Sequence, residues 1–116
     1  MMRSALLILA QLAAPSAESP TWCASVKRTP DGQVSLRAGP GSGFAVVTRL
    51  KAAELLRVTS GECRTENAEP TACTDPKGWG FVAKVLTPET KTPLAQGWVR
   101  LNLITEVECP RDEPRP

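Results

Sequence analysis

The sequence predicts a small all-β domain, a barrel or sandwich of five to six short strands. Three observations carry this. Short apolar stretches alternate with clusters of Gly, Pro, Asp and Ser along most of the chain. No stretch combines helical periodicity with a capping residue. Four cysteines sit in a chain of 116 residues, a length that allows one core and no second.

The elements follow in order. Residues 23–26 (Cys-Ala-Ser-Val) form the first strand candidate. Pro30-Asp31-Gly32 then marks a turn, because Pro presets φ and Gly accepts positive φ. Residues 34–37 alternate apolar and polar, as a half-buried strand does. Residues 38–43 are a glycine-rich loop. Residues 44–50 return to strand character around Val46 and Val47. Residues 51–54 read as a tight polar turn, and residues 55–59 as a strand with Leu56 and Val58 on one face. A helix over residues 46–58 competes with that pair of strands. Strands are preferred because no N-cap precedes the run and β-branched residues bracket it.

Residues 60–77 form a polar stretch holding Cys63, Pro70, Cys73 and Pro76. Loops of this length are uncommon unless functional or tied down. Residues 78–85 are a strand, residues 87–93 a turn region, and residues 97–100 a short strand. Residues 101–104 fit one 3₁₀ turn. Residues 105–108 close the domain with strict alternation, and residues 110–116 are a charged, Pro-rich tail expected to be disordered.

Composition removes several functions. With no His, the chain cannot hold a Ser-His-Asp triad, a Cys-His dyad or a His-ligated metal. A net charge of +2, scattered along the chain, does not describe a nucleic-acid binder. Gly39-Pro40-Gly41-Ser42-Gly43 lacks the Lys-Ser/Thr and the helix of a phosphate loop. Glu62, Glu66 and Glu69 read as a solvated charge run, and nothing pairs a nucleophile with a base. The expectation is a non-enzyme without cofactor or metal.

The first residues read as an export signal, residues 1–17. Arg3 gives the positive start, residues 5–14 a short apolar run, and Ala14-Pro15-Ser16-Ala17 small residues for cleavage after Ser16 or Ala17. The apolar run is short of the roughly 20 residues that span a bilayer. An uncleaved anchor is the competing reading. Cys23 follows Pro20-Thr21-Trp22, not the small residues of a lipidation box, so the expected product is a soluble periplasmic or secreted protein with no stable membrane insertion. Cleavage would take Arg3 and lower the net charge from +2 by one. An even number of cysteines in a short exported chain reads as two disulfides. The alternative, a four-cysteine zinc site, needs tight C-x2–4-C pairs that Cys23, Cys63, Cys73 and Cys109 do not make.

Taken together, the motifs resemble a family, the bacterial SH3 (SH3b) domain. The opening Val34-Ser35-Leu36-Arg37-Ala38-Gly39-Pro40-Gly41-Ser42-Gly43-Phe44 is similar to its apolar-x-Val-Arg-x-Gly-Pro signature, with Leu36 where Val is usual. Val47 to Leu50, the alternating Leu56 and Val58, Gly78-Trp79 and the closing Gly97-Trp98-Val99-Arg100-Leu101-Asn102-Leu103-Ile104 follow in the family's order. The likeness spans residues 34–104 and implies an SH3b-like domain over residues 18–109. In such barrels the first and last strands lie side by side. The resemblance therefore implies Cys23 with Cys109 and Cys63 with Cys73.

The resemblance also implies a binding module, with contacts between the long first loop and the Gly-Trp strand: Arg37, Ser42, Phe44, Trp79 and Leu103. Trp79 shares a strand face with Phe81, opposite Gly80 and Val82. It is either a stacking anchor in the groove or a core residue. Trp98 is expected in the core, and Trp22 over the terminal bridge. Arg37 is either a solvated strand residue or a carboxylate binder. The chain lacks the Tyr residues of a polyproline groove, and Arg100 stands where such domains have Pro. The implied partner is cell-wall peptidoglycan or its peptide. The alternative is an envelope protein that engages the 61–77 loop.

Overall fold

The computed structural model describes residues 20–86 and 95–110. The signal, residues 1–17, the turn at residues 87–93, and all of the tail but Pro110 lie outside the described residues.

Among the described residues seven strands form one antiparallel sheet: β1 (Thr21–Val26), β2 (Gln33–Arg37), β3 (Val46–Lys51), β4 (Leu55–Arg64), β5 (Trp79–Val85), β6 (Gly97–Arg100) and β7 (Ile104–Val107). A 3₁₀ turn, Leu101–Leu103, separates the last two. The sheet order is β3-β2-β6-β5-β4-β1-β7. The all-β class is as expected. The strand count is higher, because the closing residues pair along β1 as a full strand, with Cys23 opposite Val107 and Val26 opposite Ile104. The sheet is also open: β3 and β7 are edges and do not join.

The open sheet still curls around one core. Leu50 of edge strand β3 and Ile104 of edge strand β7 belong to the same buried cluster as Leu36, Leu56, Val58, Val82 and Val99. Each fully buried Leu or Val contributes about 1.5–3 kcal/mol. Two local features allow the curl. β4 slips register around Val58, and Gly61 supplies φ 81° farther along it. The β3–β4 turn then folds back onto β1: Ala53, at φ 72°, donates its N–H to the Val26 carbonyl (2.8 Å), and the Val26 N–H bonds the Glu54 carbonyl (2.9 Å).

Strand β4 runs on to Arg64, so the first five residues of the expected polar loop are strand. Cys63 faces the core because alternation brings it there from Val58 through the Gly61 irregularity. Both disulfides are present as Cys23–Cys109 and Cys63–Cys73, at sequence separations of 86 and 10. No described cysteine is free, which removes the zinc alternative.

Two tryptophans depart from expectation. Trp98 is half-buried and outside the core cluster, meeting Phe81 edge-on at 5.4 Å. Its neighbour Val99 takes the inward position, and alternation turns Trp98 outward. Trp22 packs against the core and not over the terminal bridge, because Cys23 points to the other face. Residues 44 and 45 precede β3, and Val46 and Val47 are exposed because β3 is an edge with only Leu50 fully inward.

Gly97 sits where β6 crosses β2. A Cβ there would lie 2.5 Å from the Arg37 carbonyl oxygen and 3.0 Å from Leu36 Cγ. The backbone atom cannot yield without parting β2 from β6, which pair through Arg37 and Trp98. Gly97→Ala is expected to cost about 1–3 kcal/mol, the range for overpacking. Urea unfolding checks this; an unchanged midpoint would contradict it.

Candidate functional site

The site lies on the outer face of β5 and β6. Trp79 and Arg100 are directly opposite each other in that antiparallel pair, as are Phe81 and Trp98. Cross-strand neighbours on one face touch. The Arg100 guanidinium accordingly lies over the Trp79 ring, 4.7 Å from its centroid.

The 3₁₀ turn fixes the end of β6. The Leu101 N–H donates to the Gly78 carbonyl at 3.0 Å. The Leu101 side chain packs on Gly78 and Gly80, where a Cβ would lie 3.1 and 2.9 Å from it. Small residues on β5 thus let the turn dock, and docking sets Arg100 and Leu103 in place.

On the other side, the β1–β2 turn forms a wall. The Gly32 N–H donates to the Thr29 carbonyl at 2.9 Å, with Gly32 at φ 77° as the Pro-Asp-Gly signal requires. The Thr29 hydroxyl donates to Asp31 Oδ1 at 2.8 Å. That hydrogen bond, with one from the Gln33 N–H, holds the Asp31 carboxyl below its ordinary value. Between this turn and Arg100 lies a hollow of about 330 Å³, lined by residues that include Asp31, Arg37, Trp79, Arg100 and Leu103.

Three expected site residues, Arg37, Trp79 and Leu103, therefore converge. Trp79 lies on the face away from the core cluster, yet its side chain is only 1% exposed. It is a covered platform beneath Arg100 and not an open stacking surface. Leu103 is half-buried against the core edge. Arg37 is partly committed: its Nη1 donates to the Phe44 carbonyl at 2.8 Å.

Phe44 and Ser42 do not line the hollow. Phe44 is 47% exposed and lays its ring on Gly39, where a Cβ would approach it to 2.5 Å. Ser42 donates its N–H (3.3 Å) and hydroxyl (3.2 Å) to Glu66 Oε2.

Glu66 corrects the reading of a merely solvated charge. It joins three segments: Ser42 in the β2–β3 loop, its own 61–77 loop, and β5 through the Trp79 indole N–H, which donates to Oε1 at 3.4 Å. The Ser42 backbone N–H, the Trp79 indole and the nearby Arg100 charge hold its carboxyl below the ordinary glutamate value. The loop that carries it is ordered. Arg64 bridges Pro70, the Thr65 N–H donates to the Glu69 carbonyl (2.7 Å), and the Thr71 N–H to the Cys63 carbonyl (2.9 Å). A second hollow of about 500 Å³ lies here, lined by Glu66, Asp75, Lys77, Arg100 and Asn102 among others.

Sequence reasoning missed both Arg100 and Glu66 as site residues. The signal for Arg100 was its cross-strand register with Trp79, which no spacing along the chain reveals. A carboxylate whose pKa is lower folded than unfolded stabilises the fold above its unfolded value, and this is lost as pH falls through its folded value. Acidification below the ordinary glutamate range should therefore release Glu66 from Trp79. The Trp79 indole N–H resonance should shift there in the wild type and stay flat in Glu66→Gln. The same shift in both proteins would contradict the link.

Among the described residues no helix is long and apolar enough to cross a membrane, and no group of three acidic or Cys side chains is placed to hold a metal. Comparison with protein-family models, curated proteins and solved structures finds no match. Two cystines point to an oxidising compartment.

Proposed function

We propose that the protein is an exported, non-enzymatic, SH3b-like binding module of the periplasm or cell exterior, and that it contacts cell-wall peptidoglycan through the peptide. The observation that carries this reading is the convergence of Arg37, Trp79 and Leu103 with Arg100 around one hollow of about 330 Å³. These three are contact positions that the SH3b resemblance implies. The adjacency of β1 and β7 and the 3₁₀ turn before the last strand also support an SH3-like architecture. Two guanidiniums against one carboxylate, Asp31, favour an anionic group in the hollow.

Co-sedimentation of the oxidised protein with purified peptidoglycan tests the reading. Wild type is expected in the pellet, with Arg100→Ala substantially depleted. Recovery no higher than a serum-albumin control would overturn it.

A second reading is supported by the braced 61–77 loop and its hollow of about 500 Å³: contact with an envelope protein. Pull-down from an envelope extract with wild type and Cys63→Ser/Cys73→Ser tests it. Loss of one partner in the variant supports this reading, and equal recovery removes the loop from consideration.

A further inference from the structure

We propose that Arg100 receives a free carboxylate of the ligand, so that the wall component read by this protein is a stem peptide ending in a carboxylate. The inference rests on the peptidoglycan reading and names the group recognised at that site.

Four observations carry it. First, Arg100 is preset. Its guanidinium lies over a buried indole at 4.7 Å, so part of the cost of ordering a long side chain is met before a ligand arrives. Second, its donors are unclaimed: among the described residues its guanidinium makes no hydrogen bond or ion pair with a protein acceptor. The oxygens of its acidic neighbour Glu66 already accept from Ser42 and Trp79. Third, the other cation of the hollow, Arg37, already gives Nη1 to the Phe44 carbonyl, so Arg100 is the free fork. Fourth, Arg100 lines both hollows, so a chain passing from one to the other crosses it.

Charge chooses the side. The hollow with Arg37 sets two guanidiniums against Asp31, whereas the hollow beside Glu66 sets Lys77 and Arg100 against two carboxylates. The ligand carboxylate enters from the Arg37 side. A planar fork matches a carboxylate in two parallel hydrogen bonds, which a lysine ammonium does not reproduce.

The probes are diacetyl-lysyl-D-alanyl-D-alanine and its C-terminal amide, titrated calorimetrically into the oxidised protein. The acid is expected to bind about tenfold or more tighter than the amide, as a charge-assisted hydrogen bond implies. Arg100→Lys, which keeps the charge, is expected to lose most of that difference while melting like wild type. Equal binding of acid and amide, binding of neither, or unchanged discrimination in Arg100→Lys would overturn the proposal. Sedimentation separates the two failures: wild type that pellets with peptidoglycan but does not discriminate sinks the carboxylate and leaves the wall reading, whereas wild type that does not pellet sinks the wall reading itself.

Discussion

Replacing Cys23 and Cys109 together by alanine is expected to destabilise the protein by about 4 kcal/mol, more than removal of the Cys63–Cys73 bridge. The bond joins residues 86 apart in sequence, against 10 for its companion. In the chain-entropy model such closures contribute about 4.6 and about 3 kcal/mol, and strain or residual structure lowers both. Locally, the long closure clamps edge strand β7, four residues long, to β1. Cys23 is 1% exposed, whereas Cys109 lies at the surface. Alanine at both positions leaves little unsatisfied, so the loss is mostly that of the tether. The core it supports is small and has few rings, with aromatics at 4% of the chain. Thermal unfolding followed by circular dichroism should show a Tm lower by on the order of 20 °C for a domain this size. A fall of less than a few degrees would show that packing and strand pairing alone hold β7 on β1.

Trp79→Ala carries the second large effect, about 3–5 kcal/mol, the range for deleting a buried aromatic side chain. Trp79 is 1% exposed and is the largest fully buried side chain among the described residues. Its loss also removes the platform of Arg100 and the donor to Glu66. Trp79→Phe separates these roles. It keeps a ring under Arg100 but no N–H, and should cost only about 0.5–1.5 kcal/mol more than the lost volume. Denaturant unfolding of the two variants measures the stability terms. If Trp79→Ala unfolds at the wild-type midpoint, the indole is not the buried platform described above.

Most of the strand pattern was legible from alternation. Val34 and Leu36, and Leu56 and Val58, read as one-face pairs and are all buried; on β6, Val99 takes the inward place where Trp98 was expected. Turns with a positive-φ glycine were equally plain, as at Gly32. The openness of the sheet was not legible, because edge pairing depends on how far β4 bends around Gly61, and no local pattern encodes that. Ala53 shows the same limit: its φ of 72° is imposed by the hydrogen bond to Val26, not by residue type.

Tryptophan placement shows why the site was half legible. Alternation gave Trp79 and Phe81 a common face but could not say what covers that face. The cover comes from Arg100, 21 positions later and set by register, and from Glu66, held in place by a disulfide-tied loop. The outward turn of Trp98 follows from the same register. Thus the Cys63–Cys73 bond reaches the groove through the loop that carries Glu66, which joins Ser42 to the indole beneath Arg100.

The most direct measurement is amide and indole NMR of the isotopically labelled, oxidised protein titrated with soluble muramyl-peptide fragments. The largest shifts should fall on the Trp79 indole N–H and on the amides of Arg37, Arg100 and Leu103. No shift at these positions, or shifts confined to residues 61–77 or to the exposed edge of β3, would contradict a wall-peptide groove beneath Arg100.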